Sequence, residues 1–142
     1  DQEEADGLRE YLLRGGFMMV DDFHGTSEWN RWESQIKKAF PDRSIEEIPM
    51  DHPVFHCYYD FDKYPQIPGT HAIFSGRMYE RDGKVPHCRG IFDDQRRLMV
   101  LINWNTDIGD GWEEAVSYYY PREWAETAYR LGVNYAVYSM TH

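Results

Sequence analysis

Three stretches concentrate side chains able to do chemistry. The first is Asp21-Asp22-Phe23-His24-Gly25-Thr26-Ser27-Glu28. Two adjacent carboxylates and an imidazole can ligate a divalent metal ion, or work as acid and base. The plainer reading is that Asp21 or Asp22 caps the next helix while His24 bonds to backbone. The second stretch is Asp51-His52-Pro53-Val54-Phe55-His56-Cys57. Its HxxxH spacing would put His52 and His56 on one face of a helix, as in zinc sites. Pro53 works against a regular helix there, and no Glu stands beside His52 to act as base. The third is Asn103 to Glu114, with oxygen-bearing Asn103, Asn105, Asp107, Asp110, Glu113 and Glu114. It echoes a calcium loop, but Ile108 stands where that loop needs Gly. A loop rich in Asx turns and helix caps is the expectation. The candidate catalytic residues are therefore Asp21, Asp22 and His24. Glu28, Asn105, Asp107, Asp110 and Glu113 are candidate binding residues. His24, His52 and His56 are candidate ligands for a divalent metal.

The elements that must position these groups follow from periodicity. Leu8, Tyr11 and Leu12 recur at helical spacing behind an acidic opening, and Gly15-Gly16 stops that helix. Phe17 to Val20 is a short apolar run without polar alternation, which predicts a strand buried on both faces. Thr26 or Ser27 is placed to cap a helix carrying Trp29, Trp32, Ile36 and Phe40. Ser44 to Ile48 is a brief strand. Pro49 to Pro68 is a long ordered loop, too aromatic for a linker. Asp82-Gly83 and Asp93-Asp94-Gln95 mark turns. Met99 to Ile102 is a second doubly buried run. Pro121 opens a helix over Arg122 to Leu131, Gly132 stops it, and Val133 to Met140 reads as a last strand.

Helices alternating with doubly buried strands predict an α/β fold: a mostly parallel sheet with helices on both faces and a small β-hairpin insert. In such sheets the working site lies beyond the C-terminal ends of the strands. The loops at Asp21 and at Asn103–Glu114 should then face each other across one sheet edge.

Composition narrows the partners. The 142 residues carry 15 basic and 25 acidic side chains, a formal net charge of −10. That is one domain, 1–142. The charge argues against nucleic acid and against an anionic membrane surface. No apolar run approaches the roughly 18 residues of a membrane span. The aromatic stretch Phe55 to Tyr64 is the right composition for a lid or a protein-partner surface. Cys57 and Cys88 form no CxxC pair. Nucleophile-elbow, Walker and dinucleotide-binding sequences are absent.

Several motifs carry a family resemblance. Tyr11 to Gly25, with Arg14-Gly15-Gly16-Phe17 and Val20-Asp21-Asp22-Phe23-His24-Gly25, resembles an uncharacterised bacterial domain family. That family is related to class I glutamine amidotransferases and is frequent in exported proteins. Phe40-Pro41-Asp42-Arg43, Asp51 to His56, Gln66-Ile67-Pro68, Asn105 to Glu113 and Gly132 to His142 fit it as well. The resemblance implies a three-layer flavodoxin-like fold that lacks roughly the first third of the usual domain. It also implies an extracytoplasmic, periplasmic location. Amidotransferases present a Cys at the elbow after this strand, where Asp22-Phe23-His24 stands here, so that activity is not expected. Two functions compete. One is a non-catalytic accessory or binding domain, with a protein partner and a place in a larger, membrane-associated complex. The other is a metal-dependent hydrolase-like enzyme using Asp21, Asp22 and His24 with His52 and His56.

Overall fold

The apolar run Leu98–Ile102 forms the middle of the structure, and all five side chains are fully buried. Each buried aliphatic side chain of this size contributes roughly 1.5–3 kcal/mol. This computed structural model describes residues 1–142. The order is α1 (Gln2–Leu13), β1 (Met18–Val20), α2 (Gly25–Ala39), β2 (Glu46–Glu47), a 3-10 turn at Pro53–Phe55, α3 (Thr70–Ser75), β3 (His87–Phe92), β4 (Leu98–Trp104), α4 (Ile108–Glu113) and α5 (Arg122–Thr141). The sheet order is β1-β4-β3-β2.

Helices cover both faces of this mixed α/β sheet. On one, Met99, Val100, Ile102 and Ile91 pack against Leu12 of α1 and Trp29, Ile36 and Ala39 of α2. On the other, Leu98, Leu101 and Cys88 meet Ile108 of α4 and Ala128, Leu131, Tyr135 and Tyr138 of α5. The strand directions differ from expectation. Only β1 and β4 are parallel, with Met19 beside Leu101. The β3–β4 and β2–β3 pairs are antiparallel. A doubly buried run reports helices on both sides of a strand, not the direction of its neighbour. The turn at Asp93 decides that direction, because its carboxylate accepts the Gln95 and Arg97 N–H groups. A connection this tight joins only antiparallel strands, since a parallel crossover needs a dozen residues or more.

The predicted last strand is also corrected: α5 continues unbroken through Val133–Met140. The β-branched and aromatic residues there point to strand. However, Ala128, Leu131, Tyr135 and Tyr138 keep a helical period, and their packing on β4 prevails over local propensity. Gly132 is a notch in α5, not its stop. A Cβ there would lie 2.7 Å from Cζ2 of Trp112, whose indole N–H donates to the Ala128 carbonyl at 2.9 Å. Ala is the better helix former by roughly 1 kcal/mol, but overpacking costs about 1–3 kcal/mol. Gly132→Ala should therefore lower the melting temperature by several degrees. An unchanged or raised value in a thermal melt would show that the indole yields without cost.

The start of α2 differs as well. Neither Thr26 nor Ser27 caps it. The N-cap is His24, whose side chain makes no capping bond. The free first-turn N–H groups are satisfied from elsewhere: Gly25 donates to Asn105 Oδ1 at 2.8 Å, and Thr26 to Asp82 Oδ1 at 3.0 Å. The aromatic loop 49–68 is tied to α5 through Asn134, whose side chain bonds both the N–H and the carbonyl of Tyr59. No helix is long and apolar enough to cross a membrane.

Candidate functional site

Parallel pairing puts Val20 beside Ile102, so the chains leaving β1 and β4 emerge together. Asp21 follows β1 directly, and its Oδ2 accepts the Gly109 N–H of α4 at 2.7 Å. Asp107 caps the same helix by accepting the Asp110 N–H at 2.8 Å. The Asp110 carboxylate in turn accepts the Thr70 N–H, at the start of α3, at 2.6 Å. Gly69 makes this crowding feasible, because a Cβ there would sit 2.6 Å from Asp107 Oδ2 and 3.1 Å from Asp110 Oδ2. The expected meeting of the two acidic loops is thus present, built from side chains that each satisfy a helix N-terminus.

Asp22 adopts the left-handed region, φ 55°, and its side chain is 68% exposed. His24 lies behind it at only 5% exposure. Neither ring nitrogen of His24 has a hydrogen-bond partner, and Nε2 stands 3.6 Å from Asp22 Oδ1. The backbone N–H of His24 donates to Glu28 Oε2 at 2.7 Å, while Glu28 Oε1 pairs with Arg81. Asn105 is buried and left-handed, φ 63°. It holds Gly25 through Oδ1 and donates from Nδ2 to the Val85 carbonyl at 2.7 Å.

The electrostatics are those of uncompensated negative charge. No Lys or Arg comes within 4.0 Å of Asp21, Asp22, Asp107 or Asp110; every ion pair lies elsewhere, apart from the Asp22–His24 approach. Burial, reinforced by the charges of Asp22, Asp110 and Asp21, pushes the Asp107 carboxyl up to about 8. Burial also raises Asp21, against the N–H groups of Gly109 and Ile108 that pull it down. Asp22 is raised by desolvation, which exceeds the opposing pull of His24. Tyr120 is pushed up by burial and by Asp107, and its hydroxyl donates to the Pro68 carbonyl at 2.8 Å.

A cleft of about 430 Å³ opens where β1 meets α2. Asp21, Asp22 and Glu28 line it together with the aromatic rings of Phe23 and Trp32, and with Arg31. Asp107 lines no cleft. Asp22 is therefore the group a ligand meets first.

Other predicted residues lie apart. His52 packs on Phe92 and Tyr138, at ring separations of 5.8 and 5.4 Å, and accepts the Val54 N–H. Phe92 ends β3, and β3 runs antiparallel to β4, so His52 sits at the sheet end opposite His24. That is about 17 Å along a six-residue strand. His56 bonds Asp60 at 3.0 Å and the Met50 carbonyl at 2.7 Å. The HxxxH spacing presupposes a helix, whereas Pro53 leads into a 3-10 turn and the two rings have no partner in common. No group of three or more His, Cys, Asp or Glu side chains is placed to hold a metal ion. Glu113 is exposed and outside the cluster. Cys57 and Cys88 are unpaired. Two contributors had no local signal: Asp82, which reads as half of an Asp-Gly turn, and Tyr120, which is one of eleven tyrosines.

A family model described as a domain of unknown function, DUF4159, matches residues 1–140. No curated protein and no solved structure matches the chain.

Proposed function

We propose that this chain, which belongs to the DUF4159 family, is a non-catalytic binding domain with its site at the C-terminal edge of β1 and β4. Its scaffold is read as an amidotransferase-like, flavodoxin-related sandwich that has lost the nucleophile, serving as an accessory part of a larger extracytoplasmic or membrane-associated complex. The sequence resemblance supports that wider setting.

One observation carries the choice of binding over catalysis. The acidic group of this edge that burial raises furthest, Asp107, is enclosed behind Gly69, while the group that solvent reaches, Asp22, has only an unpartnered imidazole behind it. No Ser or Cys is bonded to His24, so the edge offers fixed charge without an activated nucleophile. His52 stands at the far end of the sheet and His56 is held by Asp60 and the Met50 carbonyl, which leaves the hydrolase alternative with Asp21, Asp22 and His24 alone.

A thermal-shift screen of charged small molecules tests the reading. Binders are expected whose stabilisation is lost in Asp22→Asn, a substitution that keeps a side chain tolerant of φ 55°. A ligand at a hundred times its Kd should stabilise by about 2.7 kcal/mol. Generic esters, amides and phosphoesters should stay at background turnover. Turnover above background that disappears in Asp22→Asn would replace binding with hydrolysis.

A further inference from the structure

We propose that the cleft between β1 and α2 receives the guanidinium or ammonium side chain of a basic polypeptide partner, anchored on Asp22 and laid against Trp32. The inference rests on the binding reading above and names its ligand.

Charge comes first. Asp21, Asp22 and Asp110 cluster around Asp107, itself largely protonated near neutral pH, with no Lys or Arg of this chain within ion-pair distance, in a protein of net charge −10. Carboxylates held together this way attract a cation from outside. A second observation separates this cluster from ordinary surface acidity. His24 is more than nine-tenths buried, both its ring nitrogens lack partners, and Nε2 is aimed at Asp22 Oδ1. It leaves an unpartnered polar ring directly behind the one exposed carboxylate.

The shape and lining of the cleft select an organic cation. No three ligating side chains converge to coordinate a metal ion. The cleft instead pairs carboxylates with aromatic rings, and its volume of about 430 Å³ is large enough to admit a long side chain. The same aromatic cluster already holds a guanidinium. Arg89 lies between Trp29 and Trp104, 4.4 and 4.6 Å from their ring centroids, and Trp29 is 5.8 Å from Trp32.

A polypeptide is favoured over a free amine by the other flank of the acidic cluster. Asp107 and Asp110 abut Gly69 and Thr70, at the head of α3. At the end of α3, Phe74 is 81% exposed and faces Tyr119 at 6.3 Å, which in turn meets Tyr118, 99% exposed, at 5.5 Å. Exposed aromatics beside a charged anchor are the composition of a protein contact. Arg31 forms no ion pair and stands at the cleft, where it opposes an incoming cation.

The test is a tryptophan-fluorescence titration of the whole chain with the blocked peptides Ala-Arg-Ala, Ala-Lys-Ala, Ala-Ala-Ala and Ala-Glu-Ala, and separately with magnesium and manganese chloride. The Arg and Lys peptides should quench saturably. Their affinity should fall at least tenfold in Asp22→Asn and rise two- to threefold in Arg31→Gln; circular dichroism checks that both variants fold. Equal affinity for all four peptides, or no change in Asp22→Asn, would overturn the proposal. Saturable, Asp22-dependent binding of the metal salts with no peptide response would overturn the ligand class and leave the binding reading standing. Preference for the Glu peptide, lost in Arg31→Gln, would do the same. No response to any probe would overturn both.

Discussion

Asp107→Asn is expected to raise the melting temperature at pH 8 by roughly 5–8 °C. Asn keeps the side-chain oxygen that caps α4 through the Asp110 N–H, so the helix loses little. What disappears is a carboxylate held beside Asp21, Asp22 and Asp110 without a counter-ion. Its pKa in the folded protein is about 8, against 3.8 as the ordinary value. The raised value means that the folded state binds a proton the unfolded state releases. Stability from this group is fully present below about pH 4. It declines as pH rises towards 8 and is lost above that. The shift sets a ceiling of several kcal/mol, of which about 2 kcal/mol survives solvent screening. Melts of the two proteins from pH 4 to 9 should nearly coincide at the acid end and diverge towards pH 8. Parallel curves would show that Asp107 titrates normally.

Asn105→Ala should produce the opposite result, a loss of about 3 kcal/mol and roughly 10 °C. The Gly25 N–H would lose its only acceptor in a buried place, and the Val85 carbonyl its amide donor. An orphaned buried group costs about 1–3 kcal/mol. Ala at φ 63° adds roughly 1–2 kcal/mol of left-handed strain. Asn105→Gly separates the two causes, because Gly relieves the strain while losing both bonds. It should be more stable than the Ala variant by about 1 kcal/mol. If the two variants denature at the same urea concentration, the conformational part is absent and the bonds alone matter.

Much of this was legible in the chain where the signal is local. The run Met99–Ile102 shows as a buried strand and the Asp93 turn as a turn, because burial and turn chemistry are written in neighbouring residues, whereas Phe17–Val20 gives the strand β1 but, at the sheet edge, only partial burial. Asp21 directly follows one of those strands and the Asn103–Glu114 loop the other, so the meeting of Asp21 with the Asp107–Asp110 segment is legible too. Strand direction was not legible, since Leu98–Ile102 would be equally apolar in either sense. The helical state of Val133–Met140 depends on Tyr135 and Tyr138 meeting β4, and on Trp112 seating in the Gly132 notch. Residue spacing carries neither fact. The His52–His56 pair misled for the converse reason: the motif is meaningful only on a helix, and Pro53 gives a 3-10 turn. Asp82 and Arg81 join the site through contacts that no local pattern announces.

The capping of α2 also bears on the order in which the chain assembles. A helix normally carries its own first-turn acceptor and can nucleate as soon as it is synthesised. Here the acceptors for Gly25 and Thr26 are Asn105 and Asp82, 80 and 56 residues further along. The interior of α2 can form early, but its first turn must wait until those distant segments arrive and the closure entropy of two long loops is met. Asp22 and His24 sit immediately before that turn. The edge that holds the ligand is therefore among the last parts of the protein to take shape, and a nascent chain shorter than Asn105 has no finished cleft to offer a partner.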